Sequence, residues 1–547
     1  MPDASIQFLP KLVTVLREGY SARRFGTDLL AGLTVAIVAL PLSMGIAIAS
    51  GVSPDRGLYT AIVAGFLVSA FGGSRYQIGG PTAAFIVVVY RIIEKHGYDG
   101  LTLATLMAGG LLLVAGLLRF GSYVKYVPYP VTIGFSAGIG LTIFVSQIAD
   151  LLGLSTGKLP GDFVPKLEVL GVALPSVTPI AAVLAAITFA VILGLRAYRP
   201  KWPGMLVAVI LTSVLVVAFH LGVITIGARF GAMPSGLPMP TLPTFSLAKL
   251  GAAVPDALTI AVLAGIESLL SAVVADGLTG ARHRSNGELL AQGIANIASP
   301  LFGGLPATGA LARTATNIRA GSTGPVSGIV AAICLLIFIM AAAPLMAYVP
   351  LACLAAILSI VAWNMSEAHV VIRLVRDCDW GDRFVLVGTF LLTVFYDLTI
   401  GISFGVIVSA MLFMHRMAET VAITPADGAV DPEEDTLIAT ATASGTVAIL
   451  RMSGPFFFGA AGELAATLAR VGRRPKRIII DFSDVPMVDA TGAAVLKGVI
   501  AGNRRQATDI FLTHMSVPVM RSLVRHGVTR AGDHVHSAPS IIDALKR

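Results

Sequence analysis

The chain has 547 residues, 55% of them hydrophobic and 13% charged, about half the charged fraction of an ordinary soluble domain. Asp, Glu, Lys and Arg make up roughly 10% of residues 1–420 and roughly 20% of residues 421–547, which divides the chain into an integral membrane unit and a soluble tail. This excludes a cytosolic enzyme, a secreted disulfide scaffold and a DNA-binding protein, and the net charge of +8 fits basic cytoplasmic loops without any nucleic-acid partner.

Residues 1–27 carry Asp3, Lys11, Arg17, Glu18, Arg23 and Arg24 with no long apolar core, so they read as a cytoplasmic lead-in and not as a cleavable signal. A spanning helix needs about 20 largely apolar residues. The runs that qualify, or nearly do, are 29–50, 57–72, 101–119, 131–152, 177–197, 204–222, 257–276, 287–302, 325–343, 349–365, 383–396 and 398–417. Segments 81–93 and 309–318 are too short or too interrupted to span alone. The sum is about fourteen segments over residues 28–420, with repeat one at about 28–225 and repeat two at about 250–420. With the N-terminus inside, Arg75, Arg119, Lys125, Arg196, Arg199, Lys201, Arg282, Arg284, Arg319, Arg373 and Arg376 fall in inner loops. The loops at 304–308 and 344–348 carry no basic residue and face outward, so both termini are cytoplasmic.

The halves echo one another. Phe71-Gly72-Gly73 precedes one interrupted segment and Phe302-Gly303-Gly304 the other, while Asp28 and Asp256 open matched spans. Seven segments per half make the repeats inverted, and interrupted segments at corresponding positions point to a transporter's binding site. The polar stretch 421–435 reads as a linker. Beyond it, residues 436–547 alternate strand-like runs (436–442, 446–450, 477–482, 509–513) with helical ones (460–471, about 490–505, 516–526, 539–546), the pattern of an α/β layer domain.

Gly79-Gly80-Pro81-Thr82-Ala83-Ala84-Phe85 and Pro306-Ala307-Thr308-Gly309-Ala310-Leu311-Ala312-Arg313 each read as an irregular lead into a helix start. First-turn N–H groups lack intrahelical partners and favour an anion by about 0.3–2 kcal/mol per helix end. Irregular backbone inside a membrane survives where it lines a cavity; the alternative is a pair of kinked packing segments. Arg313 sits among small apolar residues, where a central charge costs at least about 2.5–3.5 kcal/mol. An anion or a facing carboxylate offsets that cost, unless the side chain snorkels to the cytoplasmic surface. Glu267 is the lone charge of residues 257–275 and reads either as an ion- or proton-coupling carboxylate or as Arg313's structural partner. Ser271 shares its helix face one turn on. Asp397 reads as part of a tight outer turn. Cys334, Cys353 and Cys378 suggest neither a disulfide nor zinc, His534 and His536 lack further ligands for a metal, and no nucleotide-binding motif follows a strand, so no cofactor is expected.

Several stretches resemble the sulfate permease (SulP) family of anion transporters. They are Ala31 to Met44, Gly57-Leu58-Tyr59-Thr60, Gly79-Gly80-Pro81-Thr82, Ile266-Glu267-Ser268-Leu269-Leu270 and Asn317-Ile318-Arg319-Ala320-Gly321. The tail resembles the family's STAS domain. The resemblance implies a polytopic α-helical membrane protein of fourteen segments in two inverted repeats of seven, divided into core and gate domains, with a cytoplasmic α/β STAS domain. It also implies an elevator-like movement and a homodimer in the membrane lipid. The family's substrate site falls on Thr82, Ala83, Ala84, Ala310, Leu311, Ala312 and Arg313, and its coupling-ion positions on Glu267 and Ser271. Val361 to His369 and Ser285-Asn286-Gly287-Glu288-Leu289 resemble the branch that takes up C4-dicarboxylates. The expectation is therefore a non-enzymatic, inner-membrane symporter of a C4-dicarboxylate such as succinate, fumarate or aspartate. Glu267 stands where sodium-coupled bicarbonate members tend to have Asp, which favours protons over sodium. A sulfate or bicarbonate carrier, an uncoupled anion channel and a STAS-linked sensor are the competing readings, and the tail's cytoplasmic partner is unknown. Ala490 replaces the phosphorylated serine of soluble STAS relatives, leaving Thr491 with a helix-start role.

Overall fold

The computed structural model describes residues 6–122, 128–199, 202–243, 246–425, 438, 440–442, 446–457, 475–504, 508–529 and 534–547. They form two compact units, Met1–Val406 and Ile407–Arg547.

Among the described residues, eight helices are long and apolar enough to cross a membrane. The first half runs α1 (Ala22–Ala49), α2 (Pro54–Phe71), strand β1 (Gly79–Gly80), a 3-10 turn (Ala83–Phe85), α3 (Ile86–Leu117), α4 (Tyr129–Leu152), α5 (Phe163–Ala173), α6 (Pro179–Tyr198) and α7 (Gly204–Ala218). Local signals set these boundaries: Ser21 Oγ accepts from the Arg24 N–H, and prolines open α2, α4 and α6. Segments 81–93 and 101–119 are stacked along α3 and broken at Gly97, whose φ of 65° is non-helical.

The second half runs α8 (Leu247–Thr279), α9 (Ser285–Leu301), β2 (Thr308–Gly309), α10 (Leu311–Arg319), α11 (Val326–Met346), α12 (Leu351–Ser366), α13 (Ala368–Asp377), α14 (Trp380–Phe395) and α15 (Leu398–Glu419). With α3 counted as two segments at its break, and the short α5 and α13 set aside, each half supplies seven among the described residues. Contacts sort the helices into two bundles. α1, α2 and α3 pack with α8, α9, α10 and α11, whereas α4 to α7 pack with α12, α13 and α14. Fewer contacts cross between the bundles, chiefly α1 on α12 and α7, with α3 and the Ala83–Phe85 turn on α4 and the turn also on α12.

Two buried carboxylates hold chain turns. Asp28 accepts from Tyr20 Oη at 2.7 Å and from the Thr323 N–H at 2.6 Å. Glu288 accepts from the N–H groups of Gly73 and Ser74 at 2.9 and 3.1 Å, so the first Phe-Gly-Gly turn is pinned to α9. Asp397 does cap a turn, its Oδ1 accepting from the Thr399 N–H at 2.8 Å.

The tail holds a five-stranded sheet in the order β3 (Ala422–Pro425), β4 (Val447–Ser453), β5 (Arg477–Asp484), β6 (Asp509–Thr513), β7 (Val535–Ala538). β3 runs antiparallel to β4 and the others are parallel. Ile478, Ile480 and Phe482 pack on one face, and Ile479 on the other. A continuous apolar run suits such a strand, because both its faces are covered. Helices α16 (Ala490–Arg504), α17 (Val517–Arg525) and α18 (Ile541–Lys546) complete the unit. Three expectations need revision. The stretch assigned to a linker begins with a strand of the sheet, β3. Ile438 and Thr440 to Thr442, expected as strand, are helical, with Thr442 Oγ1 donating to the Ile438 carbonyl at 2.8 Å. The start of α16 is capped by Asp489, whose Oδ1 accepts from the Gly492 N–H at 2.6 Å, where Thr491 was expected to serve. The expected helix 460–471 lies outside the described residues.

Candidate anion site between two helix starts

β1 and β2 pair antiparallel, Gly79 opposite Gly309 and Gly80 opposite Thr308. This brings the two irregular leads side by side, so that the Ala83–Phe85 turn and α10 begin from one small ribbon. Thr82 stands at the cap position of its helix, but its side chain does not accept from the first turn. Its Oγ1 instead donates to Glu267 Oε2 at 3.0 Å. Ala310 stands at the other cap position with no hydroxyl to offer. Both helix starts are thus left without a side-chain cap of their own, and their first-turn amides attract negative charge.

Arg313, in the first turn of α10, is 1% exposed. Its Nη2 donates to Ser43 Oγ at 3.0 Å and to the Pro81 carbonyl at 3.2 Å, while its Nε has no partner. Gly80 makes room for this side chain: a β-carbon there would lie 2.2 Å from Arg313 Nη1. Arg313 does not snorkel, and among the described residues it makes no ion pair with Glu267. Among the described residues, the guanidinium is a buried cation held by neutral oxygens only.

Glu267 is half-buried midway along α8. The neighbouring residues on that helix lock the ribbon in place. Ser268 Oγ donates to Thr308 Oγ1 at 2.6 Å and accepts from the Gly309 N–H at 2.9 Å. Thr308 Oγ1 passes its own proton to the Ala264 carbonyl at 3.0 Å. Ser271 is buried and donates to Thr314 Oγ1 at 3.4 Å, tying α8 to α10. The structure therefore gathers Thr82, Ala83, Ala84, Ala310, Arg313 and Glu267 around one ribbon. Leu311 and Ala312 are exposed on α10, Leu311 at 48%. Ser271 is engaged in packing. Ser43, Ser268 and Thr308 were not singled out from the sequence. Their signal was small polar residues within or beside apolar spans, where a hydroxyl needs a partner.

Of the two stretches behind the dicarboxylate expectation, one lies away from the ribbon and the other begins against its turn. In Ser285–Leu289, Asn286 Nδ2 donates to Gln7 Oε1 at 2.9 Å and Glu288 holds the Gly73 turn. In Val361–His369, Val361 and Ala362 share an apolar cluster with Ala83, Ala84 and Phe85, whereas Trp363 is exposed and the chain passes from α12 into α13.

With this geometry in view, the chain can be set beside known proteins. The profile of the sulfate permease family matches residues 25–389, and that of the STAS domain matches residues 439–538. A Bacillus subtilis (strain 168) protein named "Putative sulfate transporter YvdB" is 41% identical over 485 residues, covering 88% of this chain and 90% of that one. The "Bicarbonate transporter BicA" of Synechocystis is 31% identical over 530 residues, 93% of this chain and 91% of that protein. Among solved structures, the transmembrane domain of a cyanobacterial BicA is 33% identical, with a TM-score of 0.64 over 70% of this chain and 98% of that one. The structure of SLC26A9, at 18% identity, shares the fold with a TM-score of 0.85 over 99% of this chain and 93% of that one.

Proposed function

Because this chain belongs to the sulfate permease family and is an anion transporter, we propose that it carries one compact oxyanion, sulfate or bicarbonate, by proton-coupled secondary transport. It works in the inner membrane with both termini cytoplasmic, as a homodimer, and not as an enzyme. The observation that carries the reading is Arg313: a guanidinium 1% exposed, with an unpartnered Nε and no carboxylate beside it among the described residues. Such a charge is costly inside a membrane unless an anion offsets it.

The proposed site lies between the Ala83–Phe85 turn and the start of α10, where helix-end amides and Arg313 face a tetrahedral or planar oxyanion. Glu267 supplies the coupling through Thr82. The Thr82 hydroxyl carries one proton, which it gives to the Glu267 carboxylate. Protonating Glu267 removes a negative charge from the neighbourhood of the arriving anion and releases the hydroxyl to donate to it. Proton and anion then raise one another's affinity by the same factor. The two bundles supply the moving parts, the ribbon's bundle shifting against the other in an elevator-like stroke.

The C4-dicarboxylate reading is demoted, since the relatives named above carry the names of sulfate and bicarbonate transporters. An uncoupled channel is disfavoured by an acidic group next to the helix starts.

The test is uptake by purified protein in liposomes, with labelled sulfate, bicarbonate and succinate under imposed pH or sodium gradients. Accumulation of sulfate or bicarbonate driven by a proton gradient is expected, and Glu267→Gln abolishes that accumulation while sparing substrate exchange. Succinate as the preferred substrate, or a Glu267→Gln protein that still accumulates with the parental pH response, refutes the assignment.

A further inference from the structure

The seam between the two bundles is chemically uneven. Near the Ala83–Phe85 turn it is apolar, with Phe85 and Ala83 in one cluster with Phe135, Ile139, Leu358 and Val361. Smooth apolar surfaces slide without breaking directed bonds. At one end, polar contacts gather instead. Arg91, on the turn of α3 before the Gly97 break, donates through Nη1 to Asp397 Oδ2 at 2.7 Å. Its Nη2 donates to Asp162 Oδ1 at 3.0 Å and to the Tyr396 carbonyl at 2.9 Å. Tyr90 Oη donates to the Leu159 carbonyl. Thr259 on α8 and Thr399 at the start of α15 share a hydrogen bond at 3.2 Å. Arg91, Tyr90 and Thr259 belong to the bundle that carries the ribbon. Their partners belong to the α14–α15 turn and the segment leading into α5.

We infer that Arg91 is the latch of the transport cycle: it clamps the outer end of the seam shut through Asp397, Asp162 and the Tyr396 carbonyl, and must release before the site opens outward. The assignment of this end to the outer face, and the stroke itself, rest on the transport reading above. A guanidinium suits the task because its fixed fork spans several oxygens at once. Arg91, Glu94, Asp162, Asp256, Thr259 and Asp397 line one cavity of about 260 Å³. Water reaches Arg91, which is 21% exposed, and Asp397, at 38%. Solvent therefore takes over each charge as the clamp parts, which keeps the pair separable. A dry pair would leave two buried charges stranded on opening.

The experiment uses the intact protein with Cys334→Ala, Cys353→Ala and Cys378→Ala, into which Thr259→Cys and Thr399→Cys are introduced. Cross-linking at this contact is expected to arrest sulfate or bicarbonate uptake in liposomes, and reductant to restore it. Adding Arg91→Gln is expected to slow formation of the cross-link about fivefold, because the end spends less time closed; Arg91→Lys slows it less. Cross-linked protein that transports at the uncross-linked rate overturns the proposal. So does an Arg91→Gln protein that cross-links as fast as its parent. The cross-linking rate is read without substrate, so a wrong anion assignment leaves that outcome intact.

Discussion

Ser43 accepts a hydrogen bond from Arg313 Nη2 at 3.0 Å while giving its own proton to the Ala39 carbonyl at 2.6 Å. The second bond fixes the first. A hydroxyl has one proton, and with that proton committed along α1, a lone pair is turned toward the guanidinium. The first spanning helix thereby orients the charge that α10 delivers.

Replacing Ser43 by Ala removes this acceptor without changing the net charge. A hydrogen bond to a charged group is worth about 1.5–3 kcal/mol, so the half-saturating anion concentration is expected to rise at least about tenfold in the liposome assay. An unchanged value would mean that Arg313 needs no positioning from α1.

Gly80 has a φ of +151° and lies against Arg313 Nη1. Gly80→Ala adds a methyl where the guanidinium sits, and overpacking of this kind costs about 1–3 kcal/mol. The expected result is a folded protein whose anion affinity falls, read by equilibrium binding of labelled sulfate or bicarbonate beside a thermal unfolding scan. Parental binding with lowered stability would place the strain elsewhere than in the site.

The tail offers a pH test. Asp481 is 1% exposed in its side chain, and burial alone would raise its pKa. The hydrogen bonds from His514 Nδ1 at 2.7 Å, Ser483 Oγ at 2.8 Å and Thr513 Oγ1 at 3.1 Å, with the charge of His514, outweigh burial and hold it below the ordinary carboxylate value. A depressed folded pKa gives stability that is complete above the unfolded value, about 3.9. That stability is lost as the pH falls through the lower, folded value. The separate fragment 421–547 is expected to unfold cooperatively by circular dichroism. Its midpoint should drop below about pH 4, and Asp481→Asn should flatten that acid limb and cost about 1–3 kcal/mol near neutrality. A disordered fragment would contradict the boundary, and an unaltered acid limb would contradict the role of Asp481.

The features visible in the sequence were those carried by local composition. The rise in charge density from residue 421, the interrupted segments at 81–93 and 309–318, and the apolar run Ile478-Ile479-Ile480 are each of this kind. Partners distant in the chain leave no such mark. Nothing near Ser43 announces Arg313, and nothing near Gly73 announces Glu288, because those pairings exist only once the halves have packed. β3 was hidden for a similar reason: its four residues qualify as strand only through pairing with β4. The run 436–442 is short enough that periodicity does not separate strand from helix. Glu267 and Arg313 were legible singly, as charges in apolar stretches, but their separation was not. Each has a neutral partner, Thr82 for one and Ser43 for the other.

The central claim is that Arg313 holds the transported anion, and equilibrium binding of labelled sulfate and bicarbonate to purified Arg313→Ala beside the parent tests it most directly. Removing a buried cation from an anion site is expected to weaken binding at least about a hundredfold, on the scale of about 3 kcal/mol for such a charge-assisted contact, in a protein that keeps its parental unfolding temperature within a few degrees. Parental affinity in a well-folded Arg313→Ala protein would contradict the account and reduce this arginine to a packing element of α10.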